Sequence, residues 1–516
     1  MASLDESLMK ITRGAGIAFV GSLLALFLTF MGRVLVARIG TESEYGIFSI
    51  AFVVLNVCTI IAILGLQQGT AQNIAYARGK NKFEHIQKLI STSIQLSLLA
   101  SILLCIIVFF TSHLIATKIF HDDGLVFPLK IFALGIPFFA LLYVFVSIFR
   151  GFDDVKPKVY FQDILRSAIF LLLLLLLILF ELPFSGVFYS FLTSLVISCA
   201  VLIIYLAKRL PSPVKFVFGI RIDPVAKNLL FFSLPLLGVA MLGLIITWTD
   251  TLMLGYFTSS AKVGLYNAAL PFAYFISAIM RAILIIYMPV TSGLYARSMM
   301  LEIRRNFSVL TKWSCSITLP LFLILFLYPS SVLNLFFGAD YVFAGNALRI
   351  LSLGFIISNF MGPNGGTLIA LGRSRFLMWT TLGVALLNIG LNVTLIPLLG
   401  IEGAAIASAV SITSVNVIRS WKVYSLTGAQ PLSKNLMKPV LASLILVFLF
   451  HFIIANFFTI SPWMLPLLFI LYYAIYGLAT LFTRSFDKED IAMLLTIEKR
   501  LGVNLSSVKR ILQRFV

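Results

Sequence analysis

The chain alternates long apolar runs with short polar breaks along almost its whole length. The runs lie near 14–37, 45–76, 89–114, 126–149, 159–180, 184–207, 229–256, 262–293, 306–328, 342–371, 376–398, 402–424, 436–458 and 463–483. Each reaches the roughly 20 residues that an α-helix needs to cross about 30 Å of hydrocarbon. They are continuous rather than alternating, so they predict helices and exclude a transmembrane β-barrel. The expected fold is an all-α polytopic membrane protein of about fourteen transmembrane helices.

One phrase inside those runs occurs twice. Tyr45-Gly46-Ile47-Phe48-Ser49-Ile50-Ala51 returns 218 positions later as Val263-Gly264-Leu265-Tyr266-Asn267-Ala268-Ala269, each time after an apolar helix and a short polar turn. Leu129-Lys130-Ile131-Phe132-Ala133-Leu134-Gly135 is echoed by Leu348-Arg349-Ile350-Leu351-Ser352-Leu353-Gly354. Glu84 falls on Glu302, and Ser185-Gly186-Val187 on Glu402-Gly403-Ala404. The near-constant offset predicts a duplication with six spans per half. Because six is even, both copies enter the membrane in the same direction, giving two lobes related by a pseudo-twofold along the membrane normal. The expected divisions are an N-lobe at 1–208, a cytoplasmic linker at 209–228 and a C-lobe at 229–426. Two appended spans at 434–484 and a tail at 485–516 complete the chain. In the tail, Ile491, Leu494, Leu501 and Phe515 stand among Lys499, Arg500 and Arg514. That pattern suits helices lying on cytoplasmic headgroups or docked under the bundles.

Prolines Pro137, Pro235, Pro271, Pro289 and Pro320 fall within spans and mark bends. The tenth span is the most interrupted, at Asn359-Phe360-Met361-Gly362-Pro363-Asn364-Gly365-Gly366. Broken backbone at membrane depth needs a protein interior or water beside it, so this segment reads as a cavity-lining hinge or a static kink.

Composition agrees with the pattern. Of the 516 residues 60% are hydrophobic, only 11% are charged, and 47 are Phe. The net charge of +19 would suit nucleic acid, but its placement gives another cause. With an even number of spans, one set of loops carries Arg78, Lys80, Lys82 and Lys88, then Arg150, Lys156 and Lys158, and later Arg297, Arg304, Arg305, Arg373 and Arg375. The opposite loops carry few cations beyond Lys118 and Lys262, with acids such as Glu42, Glu44, Asp122, Asp123, Asp340 and Glu402. The positive-inside rule puts both termini in the cytoplasm and makes the basicity topological, with anionic membrane lipids as partners and no nucleic acid. The N-terminus has acids ahead of its bases and runs into a full-length span, unlike a cleaved signal peptide. Cys58, Cys105, Cys199 and Cys315 all sit in apolar runs without zinc spacing, and His85, His113, His121 and His451 are scattered. No Walker or HExxH motif occurs. Neither an enzyme nor a bound metal or cofactor is expected.

The informative residues are the charges inside the spans, each costing at least about 2.5 kcal/mol near the midplane. They are Arg33, Asp163, Arg166, Asp250, Arg281 and Arg349, with Arg38, Lys130 and Glu181 nearer the outer rim. Asp163 and Arg166 share a helical face, so a local ion pair and a substrate role stay equally open. Lys130 and Arg349 can snorkel. Arg281, among Ile279, Met280, Ala282 and Ile283, reaches neither surface and is read as a cavity-facing anion ligand. Arg33 and Asp250 occupy nearly the same level of the two halves, which makes them candidates for a gate that closes or couples. Gln68 and Gln72, with Gln67 and Asn73, and later Asn359, Asn364, Asn388, Asn392 and Asn416, supply neutral donors for a hydrated path or for interhelical bonds.

Asp250-Thr251-Leu252-Met253-Leu254-Gly255-Tyr256-Phe257, with the Val263–Ala269 phrase after the turn, resembles the seventh-helix signature of polysaccharide flippases. This family belongs to the multidrug/oligosaccharidyl-lipid/polysaccharide (MATE-like) superfamily. Leu371-Gly372-Arg373-Ser374 and Gly400-Ile401-Glu402-Gly403-Ala404-Ala405-Ile406-Ala407 resemble its eleventh- and twelfth-helix starts. The resemblance implies alternating access carrying a polyprenyl-phosphate or polyprenyl-diphosphate oligosaccharide from the cytoplasmic to the outer leaflet of the cell membrane. It implies a monomer, with or without glycan-assembly enzymes as partners. Arginines in the first and eighth spans suit a phosphorylated headgroup. Ala268-Ala269 stand where lipid II flippases, which resemble this fold, carry a basic residue, which points away from a peptidoglycan precursor. The alternatives are a drug exporter coupled to H+ or Na+ through Asp250, and a non-transporting scaffold for glycan synthesis.

Overall fold

The structure is a computed structural model that describes residues 2–209, 224–431, 434–457, 464–483 and 485. The tail beyond 485 and most of the expected linker lie outside the described residues. Among the described residues there is no strand. The helices are α1 (Ala2–Ile39), α2 (Glu42–Ile63), α3 (Leu66–Gly79), α4 (Phe83–Leu114), α5 (Val126–Gly151), α6 (Arg166–Leu179), α7 (Ser185–Arg209), α8 (Pro224–Phe257) and α9 (Ser260–Ala296). They continue with α10 (Met300–Leu327), α11 (Pro329–Phe336), α12 (Gly345–Phe360), α13 (Asn364–Ala370), α14 (Ser374–Leu399), α15 (Ile401–Thr427), α16 (Lys434–Phe457) and α17 (Leu465–Phe482). Backbone groups have no water to bond in lipid, which leaves helices as the available spanning element here. Among the described residues twelve helical stretches are long and apolar enough to span, and two shorter apolar helices, Leu436–Phe452 and Pro466–Phe482, stand in the thirteenth and fourteenth places. The chain is a multi-pass membrane protein.

The described residues form two compact units, Ile17–Asn267 and a second that joins residues 2–16 to those from Ala268 onward. Sequence similarity divides the chain at the linker, whereas packing groups α8 and the start of α9 with the helices before them. In the first unit α5 packs against α2, α3, α4 and α7, and α8 lies on α2, α3 and α4. Glycine sets how close these helices come. A Cβ on Gly46 would stand 1.7 Å from the Ser260 carbonyl oxygen, and one on Gly264 would stand 2.0 Å from that of Glu42. These are the matching glycines of the repeated phrase, and they form one backbone-to-backbone crossing of α2 with α9. A Cβ on Gly69 would likewise meet Ser233 Oγ of α8 at 2.0 Å. Small residues of this kind are what allow helices to pack where lipid offers no hydrophobic drive.

Phenylalanine fills the first unit's interior. Phe132 and Phe191 have ring centroids 5.1 Å apart, Phe170 and Phe191 5.4 Å, and Phe48 and Phe132 5.8 Å, in the tilted and edge-on arrangements that aromatic pairs prefer. α2 starts at a capping box. The Glu44 amide donates to Thr41 Oγ1 at 3.3 Å, and the Thr41 amide donates to Glu44 Oε2 at 2.8 Å.

The second span contains a break that the apolar pattern concealed. Leu64 (φ 54°) and Gly65 (φ 76°) both adopt the left-handed conformation and separate α2 from α3. At Gly65 a Cβ would also meet the Ser233 carbonyl at 2.0 Å, so α8 occupies the side chain's place. The tenth span breaks as expected, between α12 and α13, at Gly362 (φ 74°). In the second unit α14, α15, α12 and α10 pack in series, and α16 and α17 lie on α10.

Candidate substrate-binding site

The first unit holds a small, partly open cavity of about 50 Å³. Helical spacing builds each wall. Thr29 and Arg33 stand four apart on α1, and Tyr45, Ser49 and Phe52 occur at i, i+4 and i+7 on α2. Arg166 and Phe170 stand four apart on α6, with Ser167 beside them. Phe191 of α7, Trp248 of α8 and Asn267 of α9 complete the lining. None of the lining residues is acidic.

Two guanidinium groups therefore meet a surface of hydroxyls and aromatic rings. Arg33 interacts with the Tyr45 hydroxyl by charge and hydrogen bond. That hydroxyl also donates to the Asn267 carbonyl at 3.3 Å. The Arg166 guanidinium carbon lies 5.7 Å from the Phe139 ring centroid and 5.8 Å from that of Phe191, a cation–π arrangement. Arg166 Nε donates to the Gln162 carbonyl at 3.2 Å. Thr29 and Ser167 hydroxyls stand 3.4 Å apart. Phe52 meets Trp248 edge-on at 5.8 Å and Phe191 at 5.5 Å. Such a site offers charge-assisted donors for a phosphate and flat apolar faces for a sugar or an isoprenoid.

Arg33 and Arg166 are thus brought together, and the other sequence candidates are not. Asp163 and Arg166 interact by charge, but their side chains do not close to an ion-pair contact. Asp163 Oδ2 instead takes Lys158 Nζ at 3.1 Å, because residues 158–165 are π-helical and the wider turn brings together residues five apart. Asp250 also belongs to the first unit but is absent from the cavity wall. It is 6% exposed and accepts a 2.5 Å hydrogen bond from Tyr266. Beside it, Thr251 and the Asn267 side chain bond reciprocally at 3.2–3.3 Å, fastening α8 to α9. Gln68 and Gln72 occupy one exposed face of α3, away from the cavity.

Arg281 lies in the second unit. It is exposed, donates from Nη2 to the Tyr274 carbonyl at 3.1 Å and stands 5.9 Å from the Tyr274 ring centroid. Asn359 is 4% exposed, accepts from Ser314 at 2.8 Å and donates to Thr318 at 2.7 Å, tying α12 to α10. Asn364 donates to the Asn416 carbonyl at 3.2 Å, and Asn416 donates to Ser358 at 2.7 Å. The broken tenth span is thereby laced to α15.

Sequence reasoning passed over Tyr45, Ser49, Trp248 and Asn267 as site residues. Tyr45, Ser49 and Asn267 sit in the repeated phrase, which was the available signal, and Trp248 in the helix before its second copy, yet uncharged side chains in an apolar run raise no alarm. Two further intramembrane cations were also missed. Lys312 is 4% exposed and reaches the Ser485 carbonyl at 3.5 Å, and Arg419 donates to Thr380 at 3.1 Å and Thr381 at 2.8 Å.

The comparisons with known proteins agree with this architecture. Residues 11–295, more than half of the chain, match the family model of polysaccharide biosynthesis proteins. An uncharacterized membrane protein of Methanocaldococcus jannaschii is 22% identical over 451 residues, which cover 84% of this chain and 88% of that protein. The probable low-salt glycan biosynthesis flippase Agl15 of Haloferax volcanii is 26% identical over 176 residues, 34% of this chain and 37% of its own. Among solved structures, the lipid II flippase MurJ in an inward closed conformation superimposes with a TM-score of 0.70 at 18% identity, covering 91% of this chain and 98% of MurJ. An inward-facing MATE family multidrug resistance transporter superimposes with a TM-score of 0.65 at 16% identity, covering 78% and 95%. At such identities these likenesses establish the MATE-like fold, which flippases and drug transporters share. The chain belongs to the polysaccharide biosynthesis protein family.

Proposed function

We propose that this protein is a flippase that carries a lipid-linked oligosaccharide, on a polyprenyl phosphate or diphosphate, from the cytoplasmic to the outer leaflet by alternating access. The observation that carries the reading is the first-unit cavity, where Arg33 and Arg166 face a wall of hydroxyls and aromatic rings free of carboxylates. Guanidinium groups hold phosphate oxygens bidentately, and a cation-only lining disfavours the cationic drugs that an exporter would take. Family membership and the flippase named among the relatives support the same reading.

In this reading Arg33 and Arg166 bind the phosphate, and Trp248 and Phe52 cover the first sugar. The basic loops set both termini in the cytoplasm of the cell membrane. With a negative interior, two negative charges moving outward gain about 4–5 kcal/mol per 100 mV, so the potential itself favours export of a diphosphate.

The test is reconstitution into vesicles with a fluorescent polyprenyl-diphosphate sugar, following its exposure to an impermeant quencher. The wild type is expected to equilibrate the leaflets, and Arg33→Ala and Arg166→Ala to slow this by about 10- to 100-fold each, the weight of a charge-assisted hydrogen bond. Equal rates in all three proteins, or uptake of a cationic dye in place of the glycan, would sink the reading.

A further inference from the structure

The position of Arg166 depends on unusual backbone. Lys158–Leu165 forms a π-helix of 8 residues that runs without interruption into α6. The Arg166 amide bonds the Phe161 carbonyl, five residues back, where an α-helix would use that of Gln162. The Gln162 carbonyl is bonded by Arg166's own Nε, at 3.2 Å. The π turn therefore supplies the acceptor that anchors the guanidinium.

The same turn makes the Lys158–Asp163 contact, with Nζ and Oδ2 3.1 Å apart. Residues five apart on an α-helix are rotated by about 140° and cannot meet, so this ion pair belongs to the π register alone. In an α register Asp163 would instead share a face with Arg166. Removing the extra residue of the π turn rotates α6 by about 100° relative to the helical segment that precedes the turn. Within the turn the Gln162 side-chain oxygen is buried without a hydrogen-bond partner, a local cost.

We infer that Lys158 and Asp163 are positioning residues, whose ion pair holds the π turn and thereby holds Arg166 in the cavity wall over Phe139 and Phe191. The functional consequence rests on the phosphate reading of the cavity; the geometry is testable without substrate.

Cys58, Cys105, Cys199 and Cys315 are first replaced, and Arg166→Cys or Thr29→Cys is introduced as a probe of the cavity wall. The rate of reaction with a charged methanethiosulfonate is then measured. Asp163→Asn and Lys158→Gln are each expected to slow modification of the Arg166→Cys probe about tenfold and to leave the Thr29→Cys probe unchanged. The exchange Lys158→Asp with Asp163→Lys is expected to restore the rate. Deletion of Ile164, which removes the extra residue of the turn, should give the same loss. Unchanged rates in the single variants, equal slowing of both probes, or an exchange that restores nothing would each overturn the inference. A labelling loss and rescue that leave glycan transport unaltered would confirm the positioning and remove Arg166 from the phosphate site.

Discussion

In the first unit Arg33, Arg166 and the hydroxyls of Ser49 and Ser167 border an open cavity, whereas in the second Asn359, Asn364 and Asn416 are spent on neighbouring helices. Both sets are polar groups at membrane depth, and residue type alone does not separate them. What differs is what each group borders, open space in the first unit and a neighbouring helix in the second. Where the helices close on one another, as α10, α12 and α15 do around Asn359, polar side chains become ties. Where Phe48, Phe52, Phe170 and Phe191 line the space among α1, α2, α6 and α7, the same kind of side chain borders the cavity.

Gly46→Ala gives the hardest test of the frame behind the open cavity. A methyl group 1.7 Å from the Ser260 carbonyl forces α2 and α9 apart and should cost about 3 kcal/mol. The thermal unfolding temperature in detergent should fall by several degrees, whereas Gly383→Ala, with nothing within 4 Å of its Cβ, should leave it unchanged. Next in size, Arg33→Lys and Arg166→Lys keep the charge and lose the two-pronged donor, and should slow glycan translocation about tenfold each. A lysine variant as fast as wild type would reduce the cavity to a mere positive potential. Asn359→Ala should act the other way round. It should destabilise the second unit by about 1–2 kcal/mol, by orphaning the Ser314 hydroxyl, while transport per folded molecule stays within about twofold. Smallest of all, Gln68→Ala with Gln72→Ala, on the exposed face of α3, should change neither transport nor melting measurably. A large transport loss there would extend the substrate path beyond the cavity.

The chemistry of the site was partly legible in advance. Arg33 and Arg166 stood out because a charge in an apolar run is expensive wherever it lies. Their partners did not, since Tyr45, Ser49, Trp248 and Asn267 are ordinary in any membrane helix and gain meaning only when α1, α2, α6, α8 and α9 converge. Asp163 differs for another reason: α-helical spacing puts it on the face of Arg166, and the π turn of Lys158–Leu165 shifts that spacing so that Lys158 takes its carboxylate. Asp250 drew attention as an intramembrane acid, and its bond to Tyr266, sixteen positions later across the α8–α9 turn, has no signature in periodicity.

Taken alone, the sequence determined that the chain is helical, multi-pass and internally repeated, because apolar run length and the need to satisfy every backbone group in lipid leave few other folds. Tertiary structure decided which polar groups face empty space and which face each other. It placed α8 in the first packing unit, broke the second span at Leu64–Gly65 and turned Arg166 into the cavity. Those outcomes depend on contacts between residues far apart in the chain and on one local change of helical register, neither of which hydrophobic spacing encodes.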